Sequence, residues 1–432
     1  MIESPELRVM LDGLARRFET RPQEDEEFKA NGARGWGQFL DGPPKQDQVG
    51  PYGTCSGLIV RGLAKRGNDG LSSGVAALAS SWWDKRHDLT TGHPKLLGQT
   101  IRLAFFLLAL RISDLPATAQ LRADVGERLL QMVRPDGMWG NYTMDSGVSD
   151  PSPRLIATAM AVLAFALFRK EGDLLPKELG IAAERLEDRL IGTENLPKLH
   201  IAAAGAAILA GSLTKPRREF LHRLSTLAYA TQPSLSELGV YFYDYEHPLE
   251  SGGTKFNRDY YIVPTEILLG IAGFQQFAPL YLRLRAERSL SLLVRNLRGY
   301  DGFYRPDNEQ RISSVNQCWV AIYLALAARE LAVSGDKFEL PLPGSTHAIK
   351  GIQGVPAFCW YAIIRKRPDR FWIDSIMLFL CAAGILLGSV LKFDAVTWQS
   401  ISMTLASAAL AFIAGRMYAP QFLKRIFTGR EE

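Results

Sequence analysis

Two kinds of apolar pattern alternate along the chain. Some stretches are apolar almost all round: Tyr52–Lys65, Pro94–Leu110, Pro153–Phe168, Pro197–Ala210, Tyr260–Phe274 and Ser314–Leu331. Between them stand segments with one apolar stripe and a charged face: Leu71–Asp84, Ala117–Met132, Pro176–Ile191, Pro216–Tyr229 and Pro279–Leu297. A helix that is apolar on every side is buried on every side, whereas a striped helix covers a core and meets water. The first residues also carry a stripe (Leu7, Met10, Leu11, Leu14, Phe18), so the segment before Tyr52 supplies a candidate sixth outer helix. The alternation predicts an all-α chain with an inner layer wrapped by an outer one. An open stack of such pairs needs polar end caps. The expected architecture over residues 1–340 is therefore a closed (α/α)6 toroid, with a linear α-solenoid as the structural alternative.

One stretch repeats. In Gln131–Phe168 an outer helix ends, a polar loop carries Asp136-Gly137-Met138-Trp139, and Ser152-Pro153 opens the next inner helix. Ser suits an N-cap and Pro the first helical position. The same order recurs with Asp301-Gly302-Phe303-Tyr304 before Ser313-Ser314. It also recurs with Gly35-Trp36-Gly37 before Pro51-Tyr52-Gly53-Thr54-Cys55, and more weakly with Gly239-Val240-Tyr241 before a helix expected near Tyr260. Recurrence at about 50 residues marks a helical repeat architecture.

This loop, followed by an Ala/Leu helix, resembles the repeats of terpenoid cyclases and protein prenyltransferase β-subunits. Gln131 to Trp139 also resembles the QW motif of squalene cyclases. The resemblance implies an α/α toroid acting on, or binding, an isoprenoid or lipid diphosphate. The chain departs from the family in its chemistry. The Asp-x-Asp-Asp protonation motif is absent, Asp244-Tyr245-Glu246 being the nearest approach, and the prenyltransferase zinc set of Asp, Cys and His is not evident. Fold alone does not give activity.

After Glu339 the pattern changes. Residues 341–370 form a linker with an aromatic run, Val355–Ile364, suited to a membrane surface. Ser375–Leu391 and Ala395–Gly415 contain no charge, and each approaches the length that spans a bilayer. Residues 371–418 are expected to form two transmembrane helices, with a buried helical hairpin as the alternative. Arg365, Lys366, Arg367 and Arg370 precede them, and Arg416, Lys424, Arg425 and Arg430 follow. By the positive-inside rule both ends are cytoplasmic, which places the main domain in the cytoplasm, on an inner or plasma membrane, with 419–432 as a basic tail.

Charge adds to this picture. The net charge is +5, and the segment from Arg365 onward has nine Lys/Arg against five Asp/Glu. The remainder is near neutral, which argues against a nucleic-acid partner; the expected partners, membrane lipids and an anionic small molecule, rest on the apolar runs and on the basic residues described next. Met1–Asp12 reads as no signal sequence. The four cysteines, Cys55, Cys318, Cys359 and Cys381, have no CxxC spacing and read as free thiols. Cys55 and Cys318 are expected to be core residues that become neighbours if the ring closes.

Candidate chemistry falls in two places. Lys95, Arg154 and Lys198 each follow a Pro at the expected start of consecutive inner helices. A cation there opposes the helix dipole, so three in register suggest an anion site at amide-rich helix N-termini; the alternative is that they point outward and pair with loop acids. The second place is an expected long loop, Gly239–Tyr261. Its Tyr241, Tyr243 and Tyr260, with Trp139 from the repeat loop, are candidate ligand contacts. Asp244 and Glu246, with His247 beside them, are candidate acid/base groups; the alternative is a solvated surface loop. No metal ligand set, Walker or dinucleotide loop, GxSxG or HExxH motif occurs, and no cofactor can be named. The leading expectation is a membrane-anchored, cyclase- or transferase-like toroid binding an anionic isoprenoid or lipid-like ligand. The alternatives are a non-catalytic ligand sensor with a transmembrane effector, and a polysaccharide lyase or hydrolase.

Overall fold

The computed structural model describes residues 4–26, 28–41, 49–66, 70–84, 100–140, 154–169, 175–194, 196–211, 216–230, 238–248, 254–299, 302–305 and 311–334. The chain divides into two units, Met1–Leu340 and Pro341–Glu432. Lys95, the Ser152-Pro153 pair and both long apolar runs lie outside the described residues. Among those described, no helix is long and apolar enough to cross a membrane.

The described chain is mostly helical. In order come α1 (Ser4–Glu19), α2 (Pro51–Leu63), α3 (Gly70–Asp84), α4 (Thr100–Ser113), α5 (Ala119–Gln131), α6 (Leu155–Ala166), α7 (Lys177–Gly192), α8 (Lys198–Gly211), α9 (Arg218–Ala230), α10 (Thr265–Gly273), α11 (Leu280–Gly299) and α12 (Ser314–Ser334). The even-numbered helices are the ones apolar all round. In α4 every residue from Leu103 to Leu110 is buried, and in α8 every residue from Ile201 to Leu209. The odd-numbered helices bury a stripe: Leu121, Val125 and Leu129 in α5, and Leu179, Ala182, Leu186 and Leu190 in α7.

Packing follows the same division. The even helices contact one another in sequence, α2 on α4, α4 on α6, α6 on α8, α8 on α10 and α10 on α12, and α12 packs in turn on α2. α1 buries Leu7, Leu11, Leu14 and Phe18 and lies on both α12 and α2. Like the odd-numbered helices that follow, it buries a single stripe. Arg66 ties α1 to the end of α2 through Asp12 (2.7 Å) and Glu19 (2.5 Å). Burial alone raises the pKa of Asp12, but hydrogen bonds from Arg66 and Arg16 outweigh it and hold the carboxyl below its usual value.

Three expectations need correction. The segment Gly239–Tyr261 is no loop: β3 (Leu238–Pro248) and β4 (Thr254–Pro264) form an antiparallel ribbon with Tyr241 opposite Tyr261 and Asp244 opposite Arg258. Both segments are rich in aromatic and β-branched residues, which favour extended backbone. The inner helix expected from Tyr260 accordingly starts only at Thr265, and Tyr260 sits in β4 opposite Phe242. Finally, α6 begins at Leu155, with Arg154 in extended conformation at its N-cap, so Arg154 precedes the first turn. A second, two-residue ribbon pairs β1 (Gln23–Glu24) with β2 (Arg34–Gly35).

Candidate functional site

The repeated loop is a clamp between an outer helix and the next inner one. Trp139 has no exposed surface. Its indole Nε1–H donates to Leu129 O of α5 at 2.8 Å, and its amide donates to Thr158 Oγ1 of α6 at 3.0 Å. Trp36 repeats this: Nε1–H donates to Phe18 O of α1 at 2.8 Å, and the amide to Thr54 Oγ1 of α2 at 3.3 Å. In the last copy the Tyr304 amide donates to Gln317 Oε1 at 2.8 Å, and Gln317 Nε2 returns a bond to Tyr304 O at 2.7 Å. Thr54, Thr158 and Gln317 each stand fourth in their helix. Gly137 and Gly302, at φ +80° and +78°, supply the left-handed residue of the turn before the aromatic. The clamp joins the C-terminal end of an outer helix to the N-terminal end of an inner one, satisfying buried polar groups at both.

At that N-terminal end, α2, α4 and α12 present a connected set of side chains. Tyr52 and Arg102 are half-buried. The Arg102 guanidinium lies 5.4 Å from the Tyr52 ring centre. Tyr52 meets Phe105 at 6.0 Å between centroids, and Phe105 stacks on Trp319 at 6.3 Å and 21°. Phe105 and Trp319 are each sixth in their helix and buried, so they form a floor beneath Tyr52 and Arg102. Asn316, Gln317 and Cys318 line the same level of α12 and are fully buried. Phe105 and Trp319 offer no surface to a ligand, so Tyr52 and Arg102 are the members of the set that can meet one. An aromatic face beside a cation suits a ligand with an apolar part and an anionic head.

Arg154 and Lys198 are exposed at the starts of α6 and α8, two helices that pack together. The structure thus places two members of the expected basic arc at neighbouring helix N-termini. His200, two residues into α8, is half-buried, and that burial pushes its pKa below the usual value. The neutral imidazole is favoured there.

The other expected site residues separate. Trp139 is committed to the clamp and offers no surface to a ligand. Successive strand residues face opposite sides, so the ribbon register puts Asp244, Glu246 and Tyr260 on one face and Tyr241 and Tyr243 on the other. Gln131 is exposed and bonds Glu127 and Arg128 within its own helix, so it takes no part in holding Trp139. Cys55 and Cys318 are both buried free thiols on α2 and α12. Burial raises both pKa values; for Cys318 the neighbouring Cys55 adds to this and a hydrogen bond with Ser56 partly offsets it. Neither has the low pKa of a reactive thiol.

Sequence reasoning missed two features. The first is the Tyr52–Arg102–Phe105–Trp319 set. Its signal was a cation in the first turn of a very apolar helix, with aromatics near two other inner-helix starts. The second is a buried ion pair. Arg285 of α11 holds Glu266 of α10 through Nε (3.0 Å) and Nη2 (2.5 Å), while Ser289 also donates to Glu266 and Arg285 donates to Ala228 O of α9. Among the described residues no group of His, Cys, Asp and Glu is arranged to hold a metal ion. Compared with known proteins, the chain matches no family model, no curated protein and no solved structure.

Proposed function

We propose that residues 1–340 form an (α/α)6 toroid, tethered by membrane helices within 371–418, that binds an anionic isoprenoid- or lipid-like ligand at the N-terminal end of its inner helices. The packing order of the even-numbered helices supports the ring. The observation that carries the ligand class is the half-buried Tyr52 ring with the Arg102 guanidinium 5.4 Å from its centre, at the starts of α2 and α4. Arg154 and Lys198 stand at the same end and add positive charge for a phosphate head. The apolar tail would lie on Tyr52, and the tether would keep the site close to lipids.

Binding of farnesyl diphosphate to the full chain in detergent, followed by calorimetry, tests this. Arg154→Ala and Lys198→Ala should each weaken binding by about 1.5–3 kcal/mol, as expected for a hydrogen bond to a charged group. Unchanged affinity in both variants removes the basic arc from the site.

The ribbon register favours a second reading, a non-catalytic sensor. Asp244 and Glu246 stand in strand positions opposite Arg258 and Phe256, and the buried Glu266 is engaged by Arg285 and Ser289. Glu266, held on both oxygens, is committed to a structural ion pair. Asp244→Asn and Glu246→Gln decide the matter: an enzyme working through them loses turnover while retaining ligand affinity, whereas a sensor keeps its output.

A further inference from the structure

A cavity of about 450 Å³ lies between the end of α1 and residues 37–41, which follow the Trp36 clamp. Thr20, Arg21 and Gln23 line it from the first segment, Phe39 and Asp41 from the second. It shares no residue with the pair of Tyr52 and Arg102. Thr20 and Asp41 are exposed and Arg21, Gln23 and Phe39 half-buried, so solvent reaches the lining. The volume is that of a small-molecule site.

Two opposite charges line this cavity without pairing with each other. The chain turns at the end of α1, where the Arg21 amide donates to Phe18 O at 3.1 Å. The Arg21 guanidinium donates from Nη1 to Leu40 O and lies 5.3 Å from the Phe303 ring centre. These contacts hold the side chain but supply no negative charge, and among the described residues no carboxylate pairs with it. Nε and Nη2 remain, the two donors of one guanidinium edge. Such an edge grips a carboxylate with two parallel bonds, as Arg285 grips Glu266. Asp41 is held by a different neighbour. Its Oδ1 accepts from Ile312 N at 2.8 Å, and its Oδ2 lies 3.7 Å from Arg305, too far for a hydrogen bond. Oδ2 therefore keeps its capacity as an acceptor.

We propose that this cavity binds a free α-amino acid. The ligand carboxylate takes the Nε–Nη2 edge of Arg21, its ammonium group donates to Asp41 Oδ2, and its side chain occupies the space beside Phe39. The Gln23 amide offers a further donor and acceptor. A simple anion would be repelled by Asp41 and a simple cation by Arg21, so charge complementarity selects a zwitterion over either. Because Arg21 and Asp41 are each fixed by a bond to the chain, little side-chain freedom is lost on binding.

Calorimetry of the full chain in detergent with each of the standard L-amino acids tests this. At least one should bind. For that one, the analogue lacking the amino group and the analogue with its carboxylate converted to an amide should each bind about tenfold more weakly, the loss expected for one hydrogen bond between charged groups. Asp41→Asn keeps an oxygen for the Ile312 N–H and removes only the charge. It should weaken the amino acid by about tenfold and leave the affinity of the analogue without the amino group unchanged. Arg21→Lys keeps a cation and a donor for Leu40 O but has no two-pronged edge. It should weaken the amino acid and leave the amide analogue unchanged. Absence of binding by every amino acid at millimolar concentration overturns the proposal. So does an analogue that binds the wild type as tightly as its parent, a result that needs no variant to fold. Affinity unaltered in both variants places the amino acid at another site and overturns this one.

Discussion

Glu266 and Arg285 are 4% and 5% exposed, so each is costly to bury without the other. Removing one partner of a buried pair leaves an uncompensated charge and costs about 3–5 kcal/mol. Glu266→Leu should therefore lower stability by that order in urea unfolding, and Glu266→Leu with Arg285→Met should recover most of it. Tyr323 shares the cluster, and burial followed by the negative charge of Glu266 and Glu287 raises its hydroxyl pKa. His200 gives a pH signature. Its folded pKa is lowered by burial from the usual 6.5, so the unfolded chain binds its proton at higher pH than the folded chain does. The stability linked to His200 is complete above that usual value and is lost as pH falls through it toward the lower folded pKa. His200→Gln should flatten the slope of unfolding free energy against pH in this window. These residues were not legible in the sequence, because a Glu in one helix and an Arg nineteen positions on show no sign of meeting until the helices pack.

At the scale of the element, the pattern of apolar positions marked helices well and the ribbon badly. α1 was readable from Leu7, Leu11, Leu14 and Phe18, all of which are buried. The ribbon was obscured because the segment Tyr241–His247 combines aromatics with charge at nearly every position, which resembles a solvated loop as much as a strand. Its register makes a direct prediction. Asp244→Cys paired with Arg258→Cys places two thiols at directly opposite positions and should cross-link under mild oxidation. Asp244→Cys paired with Asp259→Cys puts them on opposite faces and should not, as read by non-reducing mass spectrometry. α2 shows how one element is fitted to its neighbour: a Cβ on Gly57 would lie 2.3 Å from Trp36 Cε3, so glycine lets the Trp36 clamp lie flat on the helix.

For the whole molecule, the division into Met1–Leu340 and Pro341–Glu432 has a consequence. The described helices of the first unit bury one another. Truncation after Leu340 should leave a protein with the same helical circular dichroism per residue over that unit and a cooperative unfolding transition. If the proposed tether is right, the truncated protein should also leave the membrane fraction. A truncated chain that is folded but still sediments with membranes would place the attachment within residues 1–340.

The sequence by itself determined the helices and their two characters, because burial on all sides or on one side writes a period of its own into the chain. It also marked the aromatic loop as a repeated unit. What that loop does was decided by tertiary structure: Trp139 and Trp36 reach backward to one helix and forward to another. Only packing could show that these residues are clamps and not ligand contacts. The order in which inner helices touch, and the return of α12 onto α2, belong to the tertiary structure as well. The same holds for the stack of Phe105 on Trp319, more than two hundred residues apart in the chain. Local patterns fix what a residue needs, whether burial or a partner. Which partner meets the need depends on contacts between distant segments, and those exist only once the helices have packed.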